Sequence, residues 1–257
     1  MKKIKNLKAK IVAIVAVFLA TASVLVGVYR RESIYAFSYN RTVRKLPIYS
    51  VERNDKKIAI SFDCAWGADY TEKILDTLDF YKVKATFFVV EFWTEKYPEV
   101  LKKIVDRGHE VGTHSKTHPK MSKLSVGQIE TELKSSVEAI EKITEKKVTL
   151  FRPPFGDYDD EVIETAEKLG LKTIQWSVDS LDWKDLSAEQ IAVRVIGKTK
   201  SGSIILMHNN GLHTLESLPL IFTDLQRKGF VFRPIGELIY TKDYEIAPDG
   251  TQRKINI

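Results

Sequence analysis

Short apolar runs alternate with helical patterns along most of this chain, and this alternation limits the folds that it can adopt. Helices are predicted from apolar residues at helical spacing, and Ser125 with Gln128 and Ser187 with Gln190 have the spacing of capping boxes. Strands that alternate with helices build a parallel sheet with helical cover, so the predicted fold class is α/β. Seven runs rich in β-branched and aromatic residues predict the strands: KIAISF, ATFFVV, HEVGTH, VTLFR, KTIQW, GSIILMH and FVFRP.

The alternation alone leaves the arrangement of the sheet open. An open doubly wound sheet and a closed barrel both fit it. No glycine-rich phosphate loop follows the first strand, which disfavours the nucleotide-binding form of the open sheet. In a barrel, reactive residues gather at the carboxyl ends of the strands, and this expectation can be checked against the sequence.

Residues 11–28, IVAIVAVFLATASVLVGV, form an uncharged apolar run of 18 residues. A helix rising about 1.5 Å per residue just crosses a bilayer core of about 30 Å at this length. Five lysines precede the run and two arginines follow it, which predicts a cytoplasmic N-terminus at residues 1–10 and an exported remainder. Ala20-Thr21-Ala22 resembles a signal-peptidase site, but the apolar run continues past it. We therefore expect an uncleaved anchor in the cell membrane rather than a secreted protein, with the folded part outside the cytoplasm.

The net charge of +6 belongs to the same N-terminal region. Residues 1–31 hold seven of the 40 basic residues and no acid, which leaves 33 basic against 34 acidic residues in the rest of the chain. A surface that tracks nucleic-acid phosphates needs an excess of positive charge on the folded domain. The sequence therefore predicts no nucleic-acid partner, and nothing in it implies a protein partner.

The remaining chain divides into three predicted parts. Residues 29–56 are mixed and polar and are interpreted as a stalk, residues 57–240 carry the strand and helix patterns of one domain, and residues 241–257 are interpreted as a C-terminal extension over its surface. Cys64 is the only cysteine, so no intramolecular disulfide can form and the domain must depend on its apolar core.

Polar side chains gather at the ends of five predicted strands. A single histidine or aspartate in such a place is usually structural, but five strands that each end in one indicate a common site. The residues are Asp63, His114 with His118, Arg152, Asp179 with Asp182, and His208.

The segment HSKTH places His114 and His118 four residues apart, in a loop between Gly112 and Pro119. Two imidazoles at this spacing can bind one metal ion. Such a metal needs at least one further carboxylate or thiolate and an open position for water. The loop after the first strand is the obvious source of the third ligand.

The segments SFD, HSKTH, RPPFG, DSLDW and LMH, in this order, resemble the five motifs of the polysaccharide deacetylases, also called the NodB-homology domain or carbohydrate esterase family 4. The resemblance covers about residues 57–240 and implies a distorted (β/α) barrel. The pair Trp66-Gly67 after the first motif is similar to the sporulation-associated branch. A role in sporulation rests on that resemblance alone.

The resemblance also implies roles for single residues. Asp63 matches the general base that deprotonates a metal-bound water, and Arg152 matches the arginine that orients this base. His114 and His118 match the histidine ligands of a divalent metal, usually zinc and sometimes cobalt or nickel.

The last three motifs imply the remaining roles. His208 matches the acid that protonates the departing amine, and Asp182 matches the carboxylate paired with it. Phe155 stands where the family often has tyrosine, and its backbone N–H would help to bind the oxyanion. Trp183 matches a wall of the substrate groove, and Leu206 belongs to the last motif beside His208.

The chain departs from the family at Cys64. The usual pattern is two consecutive aspartates, the base and then a metal ligand, whereas this sequence has Asp63-Cys64. Cys64 could be a thiolate ligand or a small buried apolar residue, and Asp69 could supply the missing carboxylate or cap the following helix. Metal binding could also be weak or lost. The interpretation that we prefer takes Asp69 as the third ligand.

The resemblance implies a hydrolase of linear amides that removes N-acetyl groups from a cell-wall polysaccharide, with peptidoglycan as the most plausible glycan for an anchored enzyme that faces outward. Trp66 and Trp183, which are flanked by polar residues, are candidates for stacking on sugar rings. The alternatives are an O-acetyl esterase and a carbohydrate-binding relic that has lost its metal at Cys64.

Overall fold

The structure is a computed structural model that describes residues 21–26 and 44–255. Residues 21–26 are helical, and the rest of the predicted anchor lies outside the described residues. Within the part of the chain that the structure describes, no helix is long and apolar enough to cross a membrane. Residues Lys45–Ile257 form one compact unit, to which the following description refers.

Each of the seven predicted runs contains a strand. The strands are β1 (Ser50–Val51), β2 (Lys57–Cys64), β3 (Thr86–Val89), β4 (Glu110–Thr113), β5 (Leu150–Phe151), β6 (Lys172–Thr173), β7 (Val178–Asp179), β8 (Ile204–His208), β9 (Val231–Phe232), β10 (Tyr244–Ile246) and β11 (Thr251–Lys254). The helices are α1 (Thr71–Phe80), α2 (Glu91–Lys96), α3 (Pro98–Asp106), α4 (Val126–Thr144), α5 (Asp160–Lys168), α6 (Ala188–Lys198), α7 (Thr214–Arg227) and α8 (Ile235–Leu238).

Both predicted capping boxes are present. Ser125 and Gln128 begin α4, and Ser187 and Gln190 begin α6. Each pair satisfies two backbone N–H groups that the first helical turn leaves without partners. The helix starts could therefore be predicted from the sequence to within a residue.

The main sheet is parallel and curls round on itself. Its strand order is β6-β5-β4-β3-β2-β8-β7, with β9 also paired to β2. The two ends of this order, β6 and β7, are separated in the chain only by residues 174–177. Since the five Cα–Cα steps from Thr173 to Val178 span at most about 18 Å, the two edges of the sheet must lie near each other. This curled α/β sheet agrees with the predicted distorted barrel.

The folded unit is larger than the predicted domain of residues 57–240. Ile48 and Val51, from the predicted stalk, are 2% and 1% exposed. The N–H of Ile48 donates to the Thr173 carbonyl at 3.0 Å, and that of Val51 donates to the Gly202 carbonyl at 2.9 Å. This segment is therefore hydrogen-bonded to β6 and to the residues that precede β8.

The predicted C-terminal extension also belongs to the folded unit. Strands β10 and β11 form a hairpin, and β11 pairs with β1 in a second, three-stranded sheet. These strands are short and polar and carry no alternating apolar pattern, so the sequence did not distinguish them from loop.

Alternate residues of β2 face two different cores. Ile60, Phe62 and Cys64 belong to the cluster between the sheet and the surrounding helices. Ala59 belongs to a second cluster, inside the curl of the sheet, together with Phe88 and other residues. Because successive side chains of a strand point to opposite faces, Ser61 and Asp63 lie on the inner side with Ala59. The alternation along β2 therefore determines which of its residues face the strand-end site.

Gly202 and Gly170 give a matched test of how closely the Val51 segment approaches the start of β8. Both have positive φ, 79° and 76°, but a Cβ on Gly202 would overlap the carbonyl group of Val51, whereas a Cβ on Gly170 would meet nothing within 4 Å. We expect Gly170→Ala to lower the free energy of unfolding by about 1–2 kcal/mol through backbone strain alone. Gly202→Ala should cost a further 1–3 kcal/mol, roughly, from the overlap. Urea unfolding of both variants measures the difference in their free energies of unfolding. An equal loss of this free energy in both variants would contradict the close approach of the Val51 carbonyl group to Gly202.

Candidate active site

A buried ion pair lies at the centre of the strand-end site. Arg152 Nη1 donates to Asp63 Oδ1 at 2.8 Å and to Ser61 Oγ at 2.9 Å. Arg152 is 0% exposed and Asp63 is 7% exposed. The Arg152 guanidinium also lies 4.2 Å from the centre of the Phe88 ring, inside the curl of the sheet. The hydrogen bonds and the opposite charge compensate for the loss of water around each group.

This environment keeps Asp63 ionised. Burial raises the pKa of Asp63, but the positive charge of Arg152, followed by interactions with His114 and His208, outweighs burial and holds this pKa below its ordinary value of 3.8. Burial lowers the pKa of Arg152, and the charge of Asp63 opposes that effect. The pair therefore presents a carboxylate at neutral pH, as a general base requires.

His114 and His118 lie beside this pair. His114 Nδ1 donates to the Arg152 carbonyl oxygen at 2.7 Å, which leaves Nε2 with a lone pair. That Nε2 atom lies 3.5 Å from Asp63 Oδ2. The ring centres of His114 and His118 are 4.9 Å apart. The structure thus brings both predicted metal-binding histidines to the predicted base.

Both histidines are neutral at neutral pH. Burial is the main cause that lowers the pKa of His114. Burial, followed by the neighbouring His114, lowers the pKa of His118 to about 4. Neutral imidazole is the form that binds a metal, so the protonation state suits the predicted role.

The structure does not bring a third metal ligand to these histidines. Among residues 21–26 and 44–255, no three His, Cys, Asp or Glu side chains form a group that could hold a metal ion. The donor set that is present therefore does not fit a centre with three protein ligands. The role of His114 and His118 as ligands stays a prediction.

Cys64 is a buried residue of the outer core. Its side chain is 0% exposed within the cluster against the helices, and Sγ lies 3.8 Å from the Phe62 carbonyl oxygen. Burial raises the pKa of the Cys64 thiol well above its ordinary value, and the charge of Asp63 adds to this effect. Since adjacent strand residues face opposite sides, Cys64 points away from the side that carries Asp63.

Asp69 has neither of the two roles that the sequence offered. It is exposed, and it belongs to no group of three potential ligands in the described chain. Helix α1 has Tyr70 at its N-cap position and no side-chain cap. The preferred interpretation of Asp69 as third ligand therefore has no support in the geometry.

A second pair joins the buried Asp182 to the partly exposed His208. His208 Nδ1 donates to Asp182 Oδ1 at 2.7 Å, and the His208 backbone N–H donates to Oδ2 at 2.8 Å. The hydroxyls of Thr214 and Ser180 also donate to this carboxylate, at 2.6 and 2.9 Å. Four hydrogen bonds therefore fix Asp182 and, through it, one side of the His208 ring.

The carboxylate favours the charged form of His208. Burial lowers the pKa of His208, but the hydrogen bond and charge of Asp182 outweigh burial and raise this pKa above 6.5. Burial raises the pKa of Asp182, and its bonds to His208 and Thr214 bring it below 3.8. A histidine with a raised pKa can donate a proton near neutral pH.

The strand register places the two pairs side by side. Asp63 of β2 is the direct partner of His208 of β8. Asp63 thus provides an ionised carboxylate, and His208 on the neighbouring strand provides an imidazole that can donate a proton. This arrangement suits general acid–base chemistry on a substrate held above the carboxyl ends of both strands.

Three exposed aromatic residues, here called the aromatic rim, lie next to these polar groups in space or in sequence. Trp66, Phe155 and Trp183 are 63%, 64% and 56% exposed. The ring centres of Trp66 and Phe155 lie 4.9 and 4.6 Å from that of His118. Large exposed aromatics that cluster at a polar site indicate a binding surface. Leu206, by contrast, is 3% exposed within β8, where it lies beneath the site rather than on its surface.

Sequence reasoning missed two residues that support the site. Ser61 lies two residues before Asp63, on the same face of β2, and the strand period could have revealed it. Thr214, at the start of α7, donates to Asp182, and no local pattern marks it. Asp179, considered with Asp182, instead accepts the backbone N–H of Leu181 at 2.9 Å.

The comparisons with known proteins agree with this site. A family model for polysaccharide deacetylase matches residues 50–174. Peptidoglycan-N-acetylglucosamine deacetylase of Bacillus cereus is 35% identical over 199 residues, which are 76% of this chain and 93% of that protein. The chain belongs to the polysaccharide deacetylase family. The predictions of this family and of its hydrolase class are confirmed.

Two further relatives define the range of the family around this chain. The uncharacterised protein YlxY of Bacillus subtilis is 37% identical over 193 residues, but these are only 60% of its length, against 75% of this chain. BA3943 of Bacillus anthracis, a solved CE4 family pseudoenzyme, has a TM-score of 0.73 and 38% identity over 75% of this chain and 68% of that chain. A mutant of BA3943 with restored enzymatic activity has also been solved, with a TM-score of 0.73 and 40% identity over 75% of this chain and 70% of that chain.

The position of Cys64 can be tested through its reactivity. A thiol buried in the outer core, with a raised pKa, should not react with a thiol-specific reagent such as Ellman's reagent in the native protein. One equivalent should react once the protein is unfolded in guanidinium chloride, which provides the control. Rapid stoichiometric reaction of the native protein would place Cys64 at an accessible site and contradict this assignment.

Proposed function

We propose that this protein removes N-acetyl groups from a cell-wall glycan, either peptidoglycan or a related N-acetylated polysaccharide, and releases acetate. The observation that carries this proposal is the register of β2 with β8, which places Asp63 beside His208 on the neighbouring strand. Arg152 holds the first as a carboxylate, and Asp182 favours the second as an imidazolium.

Amide hydrolysis needs both of these groups. Asp63 removes a proton from a water molecule while the oxygen of that water bonds to the acetyl carbon. The backbone N–H of Phe155 is proposed to stabilise the oxyanion that forms on the acetyl group. His208 then gives its proton to the nitrogen as the C–N bond breaks, so that acetate and a free amine leave. Loss of one oxyanion donor typically costs about 3 kcal/mol of transition-state stabilisation.

The leaving group favours the amide over the ester reaction. An amine is a poor leaving group unless it is protonated, whereas an alcohol depends less on an acid. A histidine whose pKa is raised by a buried carboxylate therefore suits N-deacetylation better than O-deacetylation. An amine rather than a hydroxyl product would separate the two reactions.

The glycan substrate is inferred from the aromatic rim and from the relatives. Trp66, Phe155 and Trp183 offer exposed ring faces on which pyranose rings can stack. The Bacillus cereus relative carries the name of a peptidoglycan deacetylase. An uncleaved anchor at residues 11–28 would hold the domain outside the cell membrane, next to such a polymer. A role in sporulation stays a prediction from the Trp66-Gly67 resemblance.

The metal requirement stays part of the proposal. His114 and His118 are neutral and adjacent, as two nitrogen ligands of zinc, cobalt or nickel would be. The third protein ligand is absent among the described residues, and for this reason we assign no catalytic step to a metal.

A second candidate function is glycan binding without hydrolysis. It is favoured by the orientation of Cys64, which leaves the two histidines without a third ligand where the family pattern has an aspartate. BA3943, which resembles this chain at 38% identity, is a family pseudoenzyme, and its activity was restored in a mutant. In that case the aromatic rim would bind the polymer and the two polar pairs would be remnants.

Acetate release from N-acetylated peptidoglycan distinguishes the two candidates. We expect the full-length protein to release acetate, and we expect Asp63→Asn and His208→Ala to lower kcat by about 100-fold or more, since each removes one side of the acid–base pair. Asp106→Asn, at the exposed end of α3, is the matched control and should keep full activity.

The same assay is run on chelated protein and on protein resupplied with zinc or cobalt. Release that requires the added metal would support the two-histidine site as its binding place. If no condition releases acetate while the protein still sediments with peptidoglycan, hydrolysis is refuted and the binding function takes its place.

A further inference from the structure

We propose that Glu132 of α4 is a positioning residue that holds the histidine loop (residues 114–118) in its working conformation. This inference rests on the proposed function for its consequence, but not for its geometry. Glu132 belongs to none of the motifs, and it contacts the loop rather than the reacting groups.

Glu132 accepts three hydrogen bonds from this loop. Its Oε2 accepts the backbone N–H groups of Lys116 and Thr117 at 2.9 and 2.8 Å. Its Oε1 accepts the Thr117 hydroxyl at 2.7 Å. A carboxylate that receives two consecutive N–H groups and a hydroxyl fixes both the position and the orientation of that peptide segment.

The neighbouring residues of α4 continue this contact. Ser136 Oγ lies 2.7 Å from Thr113 Oγ1, at the end of β4, and Ser135 Oγ accepts from Lys116 Nζ at 3.1 Å. Residues three and four positions apart lie on one face of a helix, so Glu132, Ser135 and Ser136 form one polar face towards the loop. The contacts of α4 therefore extend from the end of β4 to the middle of the histidine loop.

The loop needs such support because its backbone is strained. Ser115 and His118 have φ of 74° and 60°, a region that residues other than glycine rarely occupy. Strained conformations persist only where surrounding contacts determine them. Local bonds contribute, since Ser115 Oγ accepts the His118 N–H at 3.0 Å. The three bonds to Glu132 hold the two residues between the strained positions.

The loop conformation decides where the His118 ring lies. In the structure this ring is 4.9 Å from that of His114 and 4.6 Å from that of Phe155, measured between ring centres. If the loop relaxed, His118 would leave His114 and would no longer lie under the aromatic rim. Glu132 thus controls the site from outside it.

The test compares Glu132→Ala with Glu130→Ala in the full-length protein. Glu130 lies on the same helix and pairs with Lys134 one turn along, so its variant controls for the loss of a helical carboxylate. NMR hydrogen exchange at the Lys116 and Thr117 amides is the first measurement, and the NOE between the His114 and His118 rings is the second. We expect exchange to become at least about tenfold faster and the NOE to disappear in Glu132→Ala only.

Glu132→Gln should restore most of the protection, because its amide oxygen can still accept both N–H groups. If Glu132→Ala does not fold, Thr117→Val removes one of the three bonds from the exposed loop, and it should produce the same changes to a smaller extent. Unchanged exchange and an unchanged NOE in the folded variant would overturn the proposal.

Activity gives a third, separate measurement. Loss of a residue that orients a site ligand typically costs 10–100-fold in activity or affinity, and we expect kcat for acetate release to fall in about this range while KM changes less. If the wild-type protein releases no acetate, the proposed function fails, but the exchange and NOE measurements still decide the role of Glu132.

Discussion

The site depends on the buried ion pair between Asp63 and Arg152. Burial alone would raise the pKa of a carboxylate that is 7% exposed and would favour its protonated form. Arg152 supplies the opposite charge at 2.8 Å, and its carbonyl oxygen also holds the His114 ring at 2.7 Å. The same residue therefore keeps the base ionised and sets the tautomer of the neighbouring histidine. Without its guanidinium the pKa of the buried Asp63 would rise, and the two histidines would lie beside a carboxyl group that is protonated more readily.

The geometry of β2 explains how the fold delivers this pair and where it places the side chain of the next residue, Cys64. β2 lies between β3 and β8, so that Asp63 stands beside His208 and across the curl of the sheet from Arg152. The alternation of a strand that turns Asp63 inward also turns Cys64 outward, towards the helices. A buried thiol with a raised pKa suits that apolar position. The departure from the family is thus compatible with the fold and with the acid–base pair, and among the described residues no third potential ligand joins His114 and His118.

Much of this could be predicted from the sequence, because it depends on local patterns. The apolar runs predicted seven of the eleven strands that lie in the described residues, the serine–glutamine spacings predicted two helix starts, and the polar strand ends pointed to Asp63, Arg152 and His208. Strand alternation favours the interpretation of Cys64 as a small buried residue, and its place in the outer core agrees with that interpretation. The structure does not bring Asp69 into a group of three potential ligands within its described residues, and the sequence could not predict this because a loop residue has no period that fixes its direction. The strained backbone at Ser115 and His118, the contacts of Glu132, and the pairing of β1 with β11 depend on residues far apart in the chain, which no local pattern reports.

The ionisation state of Asp63 can be measured directly. Carbon-13 NMR of protein labelled at its aspartate carboxyl groups, with the Asp63 signal assigned by its loss in Asp63→Asn, follows this group as the pH falls. We predict that Asp63 is a carboxylate at neutral pH and becomes protonated only below the ordinary pKa of 3.8, because the charge of Arg152 outweighs the effect of burial. A protonated Asp63 at neutral pH in the folded protein would contradict the account, since no general base would then stand beside His208.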